Sequence, residues 1–295
     1  MSNNISIVII GYNSQNELSQ CLDSLNKIKP NQSLNEIIYI DDGSNDDSDN
    51  VFKNSKLPCK KKFHKFSKNQ GRVFATQKGI ELASSSWILF LQSNVVVNSN
   101  IINEYLKAIN QFSATAYMGK IVYQSSDKRF EKYLNHRNRG LNSTQNGNVI
   151  NFKNLLFGNC LIKKNIFDKI PLNLNLKKYG GEEIDFAYRL HSKHQNKTRY
   201  CSKAIATRIN HPNFRVHLDR LWEYGNQNLK KMEHSLQLEI IKIPFLIKIN
   251  FMKNILLGVC WNICFLLYNL KISILDFYIY RFLMGLSIIR GFYSK

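Results

Sequence analysis

The chain has 295 residues and a mass of 34.4 kDa, enough to bury a sizeable core in one large domain or one and a half. Lys and Arg number 41 against 21 Asp and Glu, a net charge of +20, while apolar residues at 44% and aromatics at 12% exclude a disordered chain. The charge therefore decorates a folded body and points to anionic partners, namely nucleic acid, lipid headgroups or phosphorylated small molecules.

In chain order, residues 5–10 (ISIVII) read as a buried strand, and residues 15–28 carry Leu18, Cys21, Leu22 and Leu25 at helical spacing. Residues 36–40 (EIIYI) give a second strand, followed by a polar, acidic turn. A Lys-rich stretch around Phe63 and Phe66 holds a third strand, and residues 72–83 a helix. Residues 87–91 (WILFL) form the fourth strand, 99–111 a helix and 115–123 a further strand. Short β-rich runs alternating with helical segments are the signature of an α/β fold with a mostly parallel sheet and crossover helices. From 125 to 151 the pattern dissolves into Asn, Ser, Gly, Lys and Arg, which predicts a long, mobile, basic loop. Helices are expected again at 182–194 and 214–233.

The tail differs in kind. Between Lys253 and Lys271 lie 17 uncharged residues (NILLGVCWNICFLLYNL), followed by a second apolar run from 272 to 293. As a helix the first run reaches about 25 Å, short of the roughly 30 Å hydrocarbon core, which argues against a span. Lys242, Lys248, Lys253, Lys271, Arg281 and Arg290 punctuate these runs, as in helices lying on an anionic bilayer surface. A cap on the catalytic domain or a dimer interface is the alternative. The six cysteines form no CxxC pair and the first residues no signal region, so reduced thiols in a cytosolic protein are expected. The expected organisation is residues 1–235 as one domain, with halves 1–124 and 125–235, and 236–295 as a helical extension.

Of the 21 carboxylates, eight fall in two short segments: Asp41, Asp42, Asp46, Asp47 and Asp49, then Glu182, Glu183 and Asp185. The first cluster stands just beyond the carboxyl end of a strand, where open parallel sheets bind ligands. Turn and helix-cap chemistry accounts for residues 44–49 but less readily for two adjacent acids at the strand end. The second cluster follows Gly180-Gly181, and a helix N-terminus enriched in acids is its plain reading.

The order of these motifs resembles family 2 glycosyltransferases, inverting enzymes of the GT-A fold that use a nucleotide-sugar donor. The opening strand ends in Gly11-Tyr12-Asn13, and Asp41-Asp42-Gly43-Ser44 with Asp46 is similar to the family's Asp-Asp-Gly-Ser-x-Asp segment. Asn69-Gln70-Gly71, Ala75 and Lys78-Gly79 resemble the helix lining the donor site. Gly158-Asn159 resembles a segment beside the acceptor, and Gly181-Glu182-Glu183…Arg189-Leu190 the helix bearing the catalytic base. The resemblance implies that Gly11, Tyr12, Asn13, Asp41, Asp42, Gly71, Arg72, Lys78, Gln92, Ser93 and Asn94 face the donor, with Asp42 on the base. It implies Gly158, Asn159 and Asp185 at the acceptor, and Glu183, with Glu182 as its alternative, as the base. A local ion pair with Arg189 is the plain reading of Asp185.

Where the family has Asp-x-Asp to hold a divalent cation (Mg2+ or Mn2+) against the donor pyrophosphate, this chain has Gln92-Ser93-Asn94. Uncharged amides bind hard cations far less well than carboxylates. Three readings stay open: protein cations such as Arg72 and Lys78 neutralise the leaving group, activity has been lost, or the diphosphate holds a metal with help from Asn94 and His211. The resemblance implies a nucleotide-sugar donor, a glycan or lipid-linked acceptor of a bacterial surface polysaccharide, and a place on the inner face of the cell membrane. The contrasting class is a noncatalytic subunit that binds donor or scaffolds a partner enzyme. The basic residues are dispersed and lack any nucleic-acid fold signature, so nucleic acid is not an expected partner.

Overall fold

A computed structural model describes residues 3–195, 197–241, 253–271 and 275–294. Lys242 and Lys248 lie outside the described residues, as does the side chain of Lys253.

β1 (Ile5–Gly11) is buried at every position, so it takes the centre of the sheet, where both faces are covered. β2 (Leu34–Asp41) and β4 (Trp87–Gln92) flank it in parallel, Val8 standing opposite Ile38 on one side and Phe90 on the other. β3 (Lys60–Lys65) pairs in parallel with β2 and forms an edge, where Lys60 and Lys65 at its two ends are exposed and Phe63 stacks on Tyr39. The intervening helices are α1 (Gln15–Asn26), α2 (Ser48–Asn54), α3 (Arg72–Leu82) and α4 (Ile101–Gln111), the first burying Leu18, Cys21, Leu22 and Leu25 as their spacing requires.

Beyond β4 the sheet is no longer parallel. β7 (Asn159–Lys163) runs antiparallel to β4, and β6 (Ala116–Ser125) antiparallel to β7. β8 (Thr198–His211) follows, with β5 (Val95–Val97) antiparallel to it at the far edge, giving the order β3-β2-β1-β4-β7-β6-β8-β5. The sheet is therefore mixed, its parallel half being β3-β2-β1-β4. Because β7 runs against β4, its first residues meet the last residues of β4, and the segment before β7 is delivered to the carboxyl end of the parallel half.

Residues 125–151 differ from the expected mobile loop. They contain α5 (Lys128–Leu134), capped by the Asp127 carboxylate, which accepts from the Phe130 N–H at 3.0 Å, and burying Phe130 and Leu134 completely. The chain divides into two compact units: Met1–Gln124 with Arg137–Lys177 and Glu182–His211, and Ser125–His136 with Lys178–Gly181 and Pro212–Lys295. The first contains the sheet, α6 (Ile166–Lys169) and α7 (Glu182–Lys193).

The second unit is helical, with α5, α8 (Phe214–Asn226), α9 (His234–Ile241), α10 (Lys253–Asn269) and α11 (Asp276–Tyr293). α8 and α11 cross where glycine leaves no side chain between them. A Cβ on Gly225 would lie 2.1 Å from the Ile288 carbonyl oxygen, and one on Gly291 would lie 2.1 Å from that of Trp222. Phe130, Tyr133, Phe214 and Tyr280 form an aromatic cluster between α5, α8 and α11. Arg129 closes it, bonding Asp276 at 2.9 and 2.5 Å with its guanidinium over the Tyr268 ring.

Candidate active site

At the carboxyl ends of the parallel strands the chain builds a framework of turns. Asp42 N–H donates to the Gly11 carbonyl at 2.9 Å and Ser93 N–H to that of Ile10 at 3.0 Å, joining the ends of β2, β1 and β4. Asn13, in the left-handed region at φ 46°, accepts from Asn45 N–H at 2.9 Å, and its own N–H donates to Ser44 Oγ at 2.8 Å. Asp41 is fully buried and accepts from Ser44 N–H at 2.8 Å; Asp46 accepts from Gln15 N–H at 2.9 Å. Much of the first acidic cluster thus ties two loops together, while Tyr12 remains 46% exposed beside them.

Asp42 does something different. Its two oxygens accept from the backbone N–H groups of Gln70 at 2.8 Å and Gly71 at 3.0 Å. It clamps the loop that enters α3, where Gly71 holds φ 96° and a Cβ would fall 2.5 Å from the Lys177 carbonyl oxygen. Burial pushes the Asp42 carboxyl up, and the two N–H groups offset part of that rise.

The next residue, Arg72, binds the second acidic cluster at the start of α7. Its Nε donates to Glu182, and its Nη2 stands 3.4 Å from Glu183. Glu182 is 2% and Glu183 8% exposed. Burial pushes Glu183 upward from the usual carboxylate range. The positive charge of Arg72 holds it back, the negative charge of Glu182 adds to the rise, and Arg208 and the Phe157 N–H again oppose it. Phe157 directly precedes Gly158, so the base candidate and the expected acceptor segment are brought together.

Arg208, whose charge acts on Glu183, is a candidate that sequence reading did not single out. It lies directly opposite Val95 in the β5–β8 pair, next to Asn94, and no local signal in β8 distinguishes it from other lysines and arginines.

The surroundings of the other expected residues are as follows. Asn159, expected at the acceptor, is fully buried with its amide committed. Its Nδ2 donates to the Lys120 and Ala204 carbonyls at 3.0 and 2.9 Å, and its Oδ1 accepts from Tyr105 Oη at 2.8 Å. It rivets β7 to its neighbours. Asp185 accepts from Arg189 at 3.0 and 2.6 Å, the local pair its spacing suggests. Lys78 lies more than a turn beyond Arg72 and pairs with Glu81 at 3.4 Å. His211 is buried against the edge of Tyr123, with ring centroids 5.2 Å apart.

Residues 6–171, more than half of the chain, match the sequence profile of the family described as glycosyl transferase family 2. The chain belongs to this family. It is 27% identical over 136 residues to glycosyltransferase GlyG of Streptococcus pneumoniae serotype 4, a match covering 45% of this chain and 44% of that protein. It therefore spans under half the length of that curated relative. Its fold is similar to that of S. aureus TarS residues 1–349, at a TM-score of 0.58 and 14% identity over 98% of this chain and 90% of that one. The complex of TarS 1–349 with UDP-GlcNAc gives 0.59 at 13% identity over the same shares. GalNAc-T7 with UDP, GalNAc and Mn2+ gives 0.52 at 16% identity over 71% of this chain and 44% of that one. These likenesses establish a GT-A fold.

Within this glycosyl transferase family 2 chain, Gln92 and Asn94 do not fit a divalent cation. Both are neutral amides, which hold a hard cation far less well than the carboxylates of an Asp-x-Asp segment. Among the described residues no three His, Cys, Asp or Glu side chains converge.

Proposed function

We propose that the protein transfers a sugar, with inversion, from a nucleotide-sugar donor to a hydroxyl of a glycan or lipid-linked acceptor in the assembly of a bacterial surface glycan. The observation that carries this reading is Glu183, buried, raised in basicity and held against the Phe157 N–H at the start of the acceptor segment. Its carboxylate takes the proton of the acceptor hydroxyl as that oxygen bonds the anomeric carbon. The bond from that carbon to the donor diphosphate breaks, and its electron pair leaves with the nucleoside diphosphate from the opposite face. Glu182, bonded by Arg72, is the less suited of the two acids. Uridine is the favoured nucleoside of the donor, because TarS is known in complex with UDP and UDP-GlcNAc.

The test is nucleoside diphosphate release from a panel of UDP-, GDP- and TDP-sugars with candidate acceptors. Glu183→Gln is expected to lower turnover by about 10²- to 10⁴-fold while donor binding persists. Full activity in that variant overturns the base assignment. Binding without release from any donor replaces the enzyme by a donor-binding subunit, the reading that the amides at Gln92 and Asn94 favour.

A further inference from the structure

A departing diphosphate needs positive charge at the moment its bond to the sugar breaks. In this chain Gln92 and Asn94 cannot anchor that charge as a cation, and the two protein cations that the sequence offers in its place are engaged. Arg72 is bonded to Glu182 and faces Glu183, and Lys78 is paired with Glu81 farther along α3.

Arg208 is placed differently. β8 lays it opposite Val95, and the neighbouring residue locks onto Asn94 twice: Ile209 N–H donates to the Asn94 carbonyl at 2.9 Å, and Asn94 Nδ2 donates to the Ile209 carbonyl at 3.2 Å. The strand pairing therefore fixes Arg208 beside the amide-substituted segment. Its Nε is buried and has no hydrogen-bond partner among the described residues, an arrangement that is costly unless a ligand completes it. Its charge also acts on Glu183, which it holds down.

We propose that Arg208 binds the diphosphate of the donor and stabilises it as it leaves, supplying from the protein the charge that a metal ion would bring. The proposal rests on the nucleotide-sugar reading above. The guanidinium fork matches phosphate oxygens in two hydrogen bonds, and its pKa keeps it charged throughout the working range.

The experiment compares UDP with uridine as ligands of the full chain in the presence of a chelator, by calorimetry and ligand-observed NMR. GDP with guanosine and TDP with thymidine serve as parallel pairs. Arg208→Met is expected to weaken nucleoside diphosphate binding by about 10- to 100-fold and to leave nucleoside binding unchanged, which also shows that the variant folds. Arg208→Lys is expected to recover part of the loss, since it restores charge without the fork. Unchanged diphosphate binding in Arg208→Met overturns the proposal, as does a tenfold or greater gain in wild-type affinity on adding Mn2+. Wild-type protein that binds none of the six ligands overturns the nucleotide-sugar reading together with this one. Loss of activity in Glu183→Gln with Arg208-dependent UDP binding intact supports both.

Discussion

Arg72 is the residue on which the acid pair depends. Burial and the negative charge of Glu182 beside it raise the affinity of Glu183 for a proton, and the Arg72 guanidinium, which touches both acids, is the largest influence holding Glu183 down. If Glu183 is the general base, as proposed, it works only when deprotonated, so kcat/KM falls as pH drops through its pKa. Because that pKa is raised, the acid limb of the pH–rate profile is expected above the ordinary carboxylate range of about 4.3. Arg72→Met removes the restraint and moves the limb to still higher pH, so the lost activity is partly regained in alkaline buffer. An acid limb that stays in place in Arg72→Met contradicts this account. Glu183 was legible in the sequence because its neighbours, Gly180-Gly181 before it and Arg189-Leu190 after it, repeat a pattern in order with Asp42 and Gly71. Arg208 was not legible, because its meaning comes from pairing with Val95, more than a hundred residues away. Nor was the burial of Asn159, whose amide is consumed by two carbonyls and a tyrosine that only the folded sheet assembles.

Among the elements, the strands that position the site are tied at their opposite end by Glu36. This acid at the start of β2 accepts from Ser6 Oγ at 2.7 Å on β1, from Ser84 N–H at 2.7 Å after α3, and pairs with Lys62 at 2.7 Å on β3. Burial raises its pKa, but Lys62 and the serine donors outweigh burial and hold it at about 2. Its contribution to stability is therefore present above the unfolded carboxylate value and is lost as pH falls from about 4.3 toward 2. Glu36→Ala leaves Lys62 and the serines unpartnered and is expected to cost about 3 kcal/mol in urea unfolding. In Glu36→Gln, the stability change across that pH window should shrink; an unchanged acid profile contradicts the role. The periodic segments β1, β2, β4, α1 and α3 were legible because each buries one face or both at a regular spacing. β5, three residues long, and α5, seven, are too short to set a period, and both are held by partners distant in sequence: β8 for β5, and α8 and α11 for α5.

For the whole molecule, the +20 charge and the apolar tail both raise the question of a lipid surface. Part of the tail is internal. Arg290, expected to face lipid, instead lies over the Trp261 ring at 4.4 Å, and the inner faces of α8 and α11 pack on each other. No helix among the described residues is long and apolar enough to cross a membrane. On α10 and the residue that follows it, however, Val259, Ile263, Leu266 and Leu270 recur at steps of four, three and four and are 49%, 53%, 61% and 57% exposed. Asn262 and Asn269 are exposed beside them, a mixture suited to a bilayer interface rather than its core. On α11, Tyr278 and Phe282 are exposed at 69% and 53%, and Lys271 and Arg281 supply positive charge nearby. We propose that this face rests on an anionic membrane surface, where a lipid-borne acceptor would be found. Sedimentation with vesicles of phosphatidylglycerol and phosphatidylcholine is expected to show binding that weakens as salt rises, because surface charge is screened over about 10 Å at 0.1 M. Ile263→Glu with Leu266→Glu should lower vesicle affinity by about tenfold or more, since each buried aliphatic side chain contributes on the order of 1.5–3 kcal/mol. A wild-type protein that forms a dimer dissociated by the same two substitutions, and that ignores anionic vesicles, would assign the face to a second copy of the chain instead.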